Sequence, residues 1–331
     1  MSRAAGVLAS RKKSIRRGFE TKNPYAVRPQ LAIYFGFKLK NGILRLPIGE
    51  GRHFEIALEN HTMDVLAANA PLMLRSITLT TSTVSLTISK KVPLVECAEA
   101  AGLDRNLREL TYGNGATVVK YNLSKAVRIR DTTTQIVASF KRNDARIRGS
   151  IASKYGKRRR NRIGHLLNCV TKDIVRRAHE SKEAIVLEDI RGIRSLYRKG
   201  NGQGRRYRGR MNSWSFGEAQ RQVEYKAAWR GVPVIHLTKG ETRGTTTDCA
   251  KCGERLQSPA RDDLEHRRQL WCPRCMRWVD RDVNAVINQA ARGRLRFDRS
   301  LLQREAKGEA GEAIRQVIEE PGRQEMPVVL R

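Results

Sequence analysis

Two pairs of cysteines, Cys249/Cys252 and Cys272/Cys275, are the residues whose spacing speaks most directly of chemistry. Each pair is a Cys-x-x-Cys, and nineteen residues lie between the pairs. A Cys-x-x-Cys turn presents two sulfurs to one ion, so four thiolates in this pattern suit a tetrahedral Zn2+. Gly253 follows the first pair and supplies the backbone freedom that closes such a turn. Four ordinary buried thiols would leave the paired spacing unexplained. Cys97 and Cys169 remain, argue little for a disulfide, and fit a reducing, cytoplasmic setting.

Three acids form the second candidate site: Asp104, Glu188 and Asp282. Asp104 ends an expected first strand, Glu188 ends the apolar run EAIVLEDI, and Asp282 opens an expected final helix. Carboxylate oxygens are hard donors, and a trio of them suits two divalent cations, Mg2+ or Mn2+, held about 4 Å apart for phosphodiester hydrolysis. Each acid also has a plainer reading. Asp104 is compatible with a turn former before Arg105-Asn106. Glu188 is compatible with pairing to a neighbouring arginine, with Asp189 taking the functional role. Asp282, or Asp280, is compatible with a helix-start acid that complements the dipole.

The charge says what these groups would meet. With 65 Lys+Arg against 33 Asp+Glu in 331 residues, the formal net charge is +32, which calls for a polyanionic partner. After Ser300 the balance is six acids to five bases, so the excess lies in residues 1–300. Residues 141–162 carry ten Lys/Arg against one Asp, and in a helical hairpin this run, Arg158, Arg159 and Arg160 included, reads as a phosphate-tracking surface. In RGIRSLYRKGNGQGRRYRGRMN, Arg205, Arg206 and Arg208 would meet phosphates and Tyr207 would stack on a base, with order gained on binding. Without an apolar run of roughly 18 residues, no membrane partner is expected.

Stepping outward, residues 1–23 read as a flexible basic arm. Short β-like runs separated by turn-prone pieces such as KNG and GEG predict a small β-barrel over 24–97, with a helix near Asn60–Leu74. Residues 98–293 then read three strands, a long helical region (about 125–180), strand, helix, strand, metal-binding insertion, helix. Ser215 is a candidate cap for the helix after 214, and QREAKGEAGEAIRQVIEE in the tail has helical character. The fold class is thus α/β (α+β, multidomain), and the element order is that of an RNase H-like domain.

Over about residues 30–293 the chain resembles the TnpB family, transposon-encoded RNA-guided nucleases related to type V CRISPR effectors. The motifs that carry the resemblance occur in order: GLDRNLRELT (102–111), IVLEDI (185–190), WSFGEAQRQVEYKAAWRGVPV (214–234), TTTDCAKCG (245–253) and CPRCMRWVDRDVNAVIN (272–288). The resemblance implies a RuvC-like nuclease domain (98–244 and 279–296), a zinc ribbon (245–278), a wedge-type barrel with a reduced recognition segment (24–97), and a tail (297–331). It places Asp104, Glu188 and Asp282 as the three catalytic metal ligands, with Asp282 preferred over Asp280 because it directly precedes Val-Asn-Ala. Cys249, Cys252, Cys272 and Cys275 would hold zinc, while Arg267, Arg268 and Arg274 would steer nucleic acid. Asn106 stands at a position where the family carries glycine, and asparagine tolerates left-handed backbone. The implied function is an RNA-guided DNA endonuclease, with guide RNA from the transposon end and double-stranded DNA as partners, in the prokaryotic cytoplasm at the nucleoid. The alternatives are an RNA-guided binding protein or repressor that does not cut, and an accessory transposition protein that acts without a guide.

Overall fold

A computed structural model describes residues 2–24, 30–68, 71–140, 145–190, 192–198, 200–214, 216–260, 262–305 and 328–330. The chain divides into two compact units, Met1–Lys91 with Glu325–Arg331, and Val92–Gln324.

In the first unit the expected flexible arm is a helix, α1 (Ser2–Arg16). Its Ala, Leu, Arg and Lys are good helix formers, and Lys13 and Arg16 in the last turn complement the dipole. Gly18, at φ +78°, ends it by returning its N–H to the Ile15 carbonyl. The strands are β1 (Gln30–Ile33), β2 (Lys38–Lys40), β3 (Ile43–Gly49), β4 (Arg52–Ala57), β5 (Met73–Thr80) and β6 (Val84–Ser89), with α2 (Asn60–Ala68) between β4 and β5. Asn41-Gly42 and Glu50-Gly51 all have positive φ, the signature of tight hairpin turns, and they join β2–β3–β4. Two antiparallel sheets result, β2-β3-β4 and a second that includes β1-β5-β6, sharing a core of Leu44, Leu46, Ile77 and Leu86. Among the described residues no ladder joins these sheets into a closed barrel. The expected helix over Asn60–Leu74 is shorter, because Met73 and Leu74 already belong to β5.

The second unit is built on a sheet of β7 (Glu99–Arg105), β8 (Glu109–Gly113), β9 (Val118–Asn122), β10 (Glu183–Leu187) and β11 (Val234–His236). Its order is β11-β10-β7-β8-β9, with β7-β8-β9 antiparallel and β10 parallel to both β7 and β11. The long helical region is two helices, α3 (Ser124–Ser139) and α4 (Ala145–Glu180). The Gly/Arg-rich stretch includes a 3-10 turn at Ile193–Tyr197 and a short helix α5 (Arg205–Asn212). Next come α6 (Phe216–Arg230), α7 (Lys239–Thr242), the ribbon strands β12 (Gln269–Cys272) and β13 (Arg277–Asp280), and α8 (Arg281–Glu305). Ser215 lies outside the described residues, as do 306–327, which hold most of the tail segment expected to be helical. The tail boundary at 297 falls inside α8, and Val328–Leu330 forms a strand β14 paired with β6.

Strand alternation sorts the side chains. Ala101, Leu103, Ile185 and Leu187 face the core made with α3, α4 and α6. Ala100, Ala184 and Val186 face the other way, and there α8 lies on the sheet. Gly102 and Gly293 make that approach possible. A Cβ on Gly102 would collide with the Val286 carbonyl and lie 2.8 Å from Gln289 Cβ, while one on Gly293 would collide with Val186. Continuing the alternation past the strand ends puts Asp104 and Glu188 on the α8 side of one sheet edge.

Gly102→Ala is expected to cost at least about 1–3 kcal/mol, since a backbone carbonyl cannot rotate out of the way. Gly164→Ala in α4, where nothing lies within 4 Å, is the matched control. It is expected to stabilise by about 1 kcal/mol through helix propensity. Urea unfolding of the two variants checks both values.

Candidate functional site

Asp104 is the last residue but one of β7, and its partner across the hairpin is Thr111. Its carboxyl is pushed up to about 7, first by burial and then by the charges of Glu188 and Asp282. Asp104 therefore feels both other acids, although they arrive from segments far apart in sequence. Each is held by a different neighbour. Asn106 Nδ2 donates to Asp104 Oδ2 at 2.7 Å. The buried Thr245 hydroxyl donates to Glu188 Oε1 at 2.8 Å. Arg268 pairs with Oδ2 of Asp282, which is only 2 % exposed, and Arg281 Nε lies 3.5 Å from Oδ1.

The choices that the residues alone left open are separated by geometry. Asp280 takes the helix-capping work, since its Oδ1 accepts the N–H groups of Asp282 and Val283 at 3.0 Å each. Its other oxygen meets Lys120 Nζ at 2.6 Å. Asp282 is the acid of the pair whose charge acts on Asp104, as Glu188 is in the pair Glu188-Asp189. Asn106 does not adopt left-handed backbone; it acts through its side-chain amide instead. Arg267, Arg268 and Arg274 are all exposed, and Arg268 also pairs with Asp282.

The cysteines converge as their spacing required. All four sulfurs lie within 4.8 Å of one another. Cys252–Cys272 is 3.5 Å and Cys249–Cys275 is 4.0 Å, bracketing the roughly 3.8 Å expected between sulfurs that sit about 2.3 Å from a tetrahedral ion. Among the described residues it is the one such close cluster of Cys, His, Asp or Glu, so the three acids stand farther apart than these thiols. Burial opposes ionisation of Cys249, but the backbone N–H groups of Cys252 and Lys251 bring its pKa down to about 7. The cluster can hold a metal ion. Both turns close in left-handed backbone, at Gly253 (φ +74°) and at Met276 (φ +52°).

The cluster is tied to the acids through α8. Asn284 Nδ2 donates to the Asp248 carbonyl at 2.8 Å, and its Oδ1 accepts the Ala250 N–H at 2.8 Å. Asn288 Nδ2 reaches the Thr245 and Asp248 carbonyls at 2.8 and 2.7 Å. The first cysteine turn is thereby fastened to the helix that begins with Asp282.

With this geometry described, the relatives of the chain can be set beside it. A family model described as Cas12f1-like, TNB domain, matches residues 216–289, from the start of α6 into α8. A TnpB-like protein of Methanocaldococcus jannaschii is 26% identical over 196 residues, 56% of this chain and 66% of that protein. The chain is similar to TnpB-like proteins. A Cas12f1–sgRNA–target DNA complex superposes with a TM-score of 0.48 at 13% identity, and a CRISPR-Cas12f ternary complex with 0.43 at 16%. Each superposition covers 79% of this chain and 59% of the Cas12f chain. The chain thus spans under two thirds of the length of each of these relatives.

The basic residues singled out from sequence lie on two helices. Arg158 and Arg160 are exposed on α4, with Arg158 5.9 Å over the Tyr155 ring, and Arg159 is half-buried. Arg205, Arg206 and Tyr207 are exposed on α5, while Arg208 bonds the Gln203 carbonyl. Tyr207 makes an edge contact with Tyr197 at 5.9 Å. No helix among the described residues is long and apolar enough to cross a membrane. Thr245 was missed by the sequence reading. Its signal was its place at the head of TTTDC, but a hydroxyl aimed at residue 188 shows only in three dimensions.

Two outcomes follow. Because Asp104 holds its proton to about pH 7 when folded but loses it near 4 when unfolded, the metal-free protein loses stability as pH rises between those values. Asp104→Asn is expected to raise the melting temperature of the metal-free protein at pH 7.5, and to raise it less at pH 5. Met276→Gly is expected to relieve left-handed strain by about 1 kcal/mol, read as tighter Zn2+ retention in a chelator competition.

Proposed function

We propose that the chain is an RNA-guided, metal-dependent DNA endonuclease of transposon origin, with a RuvC-like site formed by Asp104, Glu188 and Asp282. The observation that carries this reading is the meeting of these three acids at one sheet edge, on the face covered by α8. The order β11-β10-β7-β8-β9 supports the RNase H-like reading of the second unit, and the similarity to a TnpB-like protein supports guidance by RNA.

The donor set fits divalent cations: three carboxylates with hard oxygens, with Asp104 pushed up by burial and then by the charges of the other two. When bound, Mg2+ or Mn2+ supplies an activated water and stabilises the leaving 3′-oxygen. The chain's own residues orient that donor set. Asn106 fixes Asp104, Thr245 fixes Glu188, and Arg268 holds the place of a cation on Asp282 until its side chain moves aside. The four thiolates would hold structural Zn2+, which sets the start of α8. Arg158, Arg159, Arg160, Arg205 and Arg206 would track phosphates, with Tyr207 available to stack on a base.

The pairing of Arg268 with Asp282 favours a second reading, an RNA-guided binding protein that does not cut. One experiment separates the two. Protein purified with its RNA is expected to cut matched double-stranded DNA in Mg2+, and Asp104→Ala is expected to reduce cutting to background while leaving DNA binding intact. Binding without cutting in the unmodified protein supports the second reading. A random rather than discrete co-purifying RNA would count against guidance in either case.

A further inference from the structure

Arg105, the last residue of β7, is 6 % exposed. By strand alternation it faces away from α8, on the opposite side of the sheet from the carboxylates of Asp104 and Glu188. A guanidinium taken out of water must have its donors satisfied, and its rigid fork can bridge two acceptors at once. Here Nη2 donates to the backbone carbonyl of Glu188 at 2.7 Å and Nη1 to Gln220 Oε1 at 2.7 Å. Gln220 Nε2 in turn donates to Glu224 Oε1 at 2.7 Å, and His236 Nε2 lies 3.3 Å from that same oxygen. A continuous polar chain therefore runs from the backbone of Glu188 through α6 to the end of β11.

The place where this chain begins is informative. Leu237 N–H bonds the Leu187 carbonyl at 2.9 Å, and the next carbonyl along, that of Glu188, is the one Arg105 takes. Beyond Leu187, β10 has left the ladder with β7 and β11. Arg105 thus does for Glu188 what a neighbouring strand does for the residues before it. It also links Glu188 to the strand that carries Asp104, through a residue adjacent to Asp104 itself.

We propose that Arg105 is a positioning residue: bridging the Glu188 carbonyl and Gln220, it fixes the backbone of Glu188, and so the direction of its carboxylate, relative to Asp104. This rests on the reading that Asp104, Glu188 and Asp282 bind divalent cations. Charge alone is the competing account, since a buried cation near three acids would act on metal affinity whatever its shape. Lysine keeps the charge but lacks the fork, which separates the two accounts.

The test is Mn2+ binding to the purified full-length protein, followed by electron paramagnetic resonance at a temperature where every variant is folded. Asp104→Ala serves as the reference for the site. Arg105→Lys and Gln220→Ala are each expected to weaken the Asp104-dependent Mn2+ binding about ten- to hundredfold, the usual effect of removing a residue that orients a ligand. Zinc content is expected to stay unchanged. Wild-type affinity in Arg105→Lys would overturn the inference in favour of charge alone. Should that variant fail to fold, Gln220→Ala decides, because it leaves Arg105 in place and removes the bridge at Gln220 along with the bond to Glu224; unchanged affinity there overturns the inference. Absence of any Asp104-dependent Mn2+ binding in the wild-type protein is a different result, which overturns the reading of the carboxylates themselves.

Discussion

The placing of Asp104 where burial and the charges of Glu188 and Asp282 all act on it is the constraint around which the second unit is arranged. Burial first, and then the charges of Glu188 and Asp282, push the Asp104 carboxyl up to about 7. Such a group persists only if the surrounding chain holds it there. The means are visible in the packing. Gly102 lets α8 approach β7 closely, so the first turn of α8 can reach the strand end. Each acid then has a separate polar neighbour: an amide at Asp104, a hydroxyl at Glu188 and guanidinium groups at Asp282.

The cysteine cluster belongs to the same arrangement. It fastens the loop 245–250 to α8 through Asn284 and Asn288, and Thr245 in that loop holds the carboxylate of Glu188. A metal ion held by Cys249, Cys252, Cys272 and Cys275 would thereby influence two of the three acids without touching either. Asp280 completes the division of labour: it satisfies the exposed N–H groups at the start of α8, and Asp282 is left to turn inward. Two acids two residues apart in one motif take different roles because the helix start needs a cap and the sheet edge needs a charge.

Much of this was legible in the residues. The cysteine spacing, the order of elements in residues 98–293 and the turns at Asn41-Gly42 and Glu50-Gly51 depend on short-range stereochemistry, which a sequence carries locally. Where the reading missed, the cause was long-range or depended on context. The basic arm is the helix α1, since charge composition suggested flexibility while the intrinsic propensities of Ala, Leu, Arg and Lys favoured helix. Asn106 was expected to serve through its backbone and serves through its amide. Arg268 was expected to steer nucleic acid, and although exposed it pairs with Asp282 at the start of α8.

By itself, then, the sequence determined which groups exist: four thiols at ligand spacing, three acids at element ends, and a large excess of positive charge. Local rules suffice for that, because turns, strand alternation and helix starts are set by neighbouring residues. Tertiary structure alone decided which acid of each adjacent pair acts on Asp104, which hydroxyl and which arginine hold the others, and that the cysteine loop reaches Glu188 through Thr245. These are contacts between segments from 14 residues apart, as for Arg268 and Asp282, to many more. They are fixed by how closely α8 can lie on β7 and by the need of every buried charge for a partner, and no local pattern encodes either.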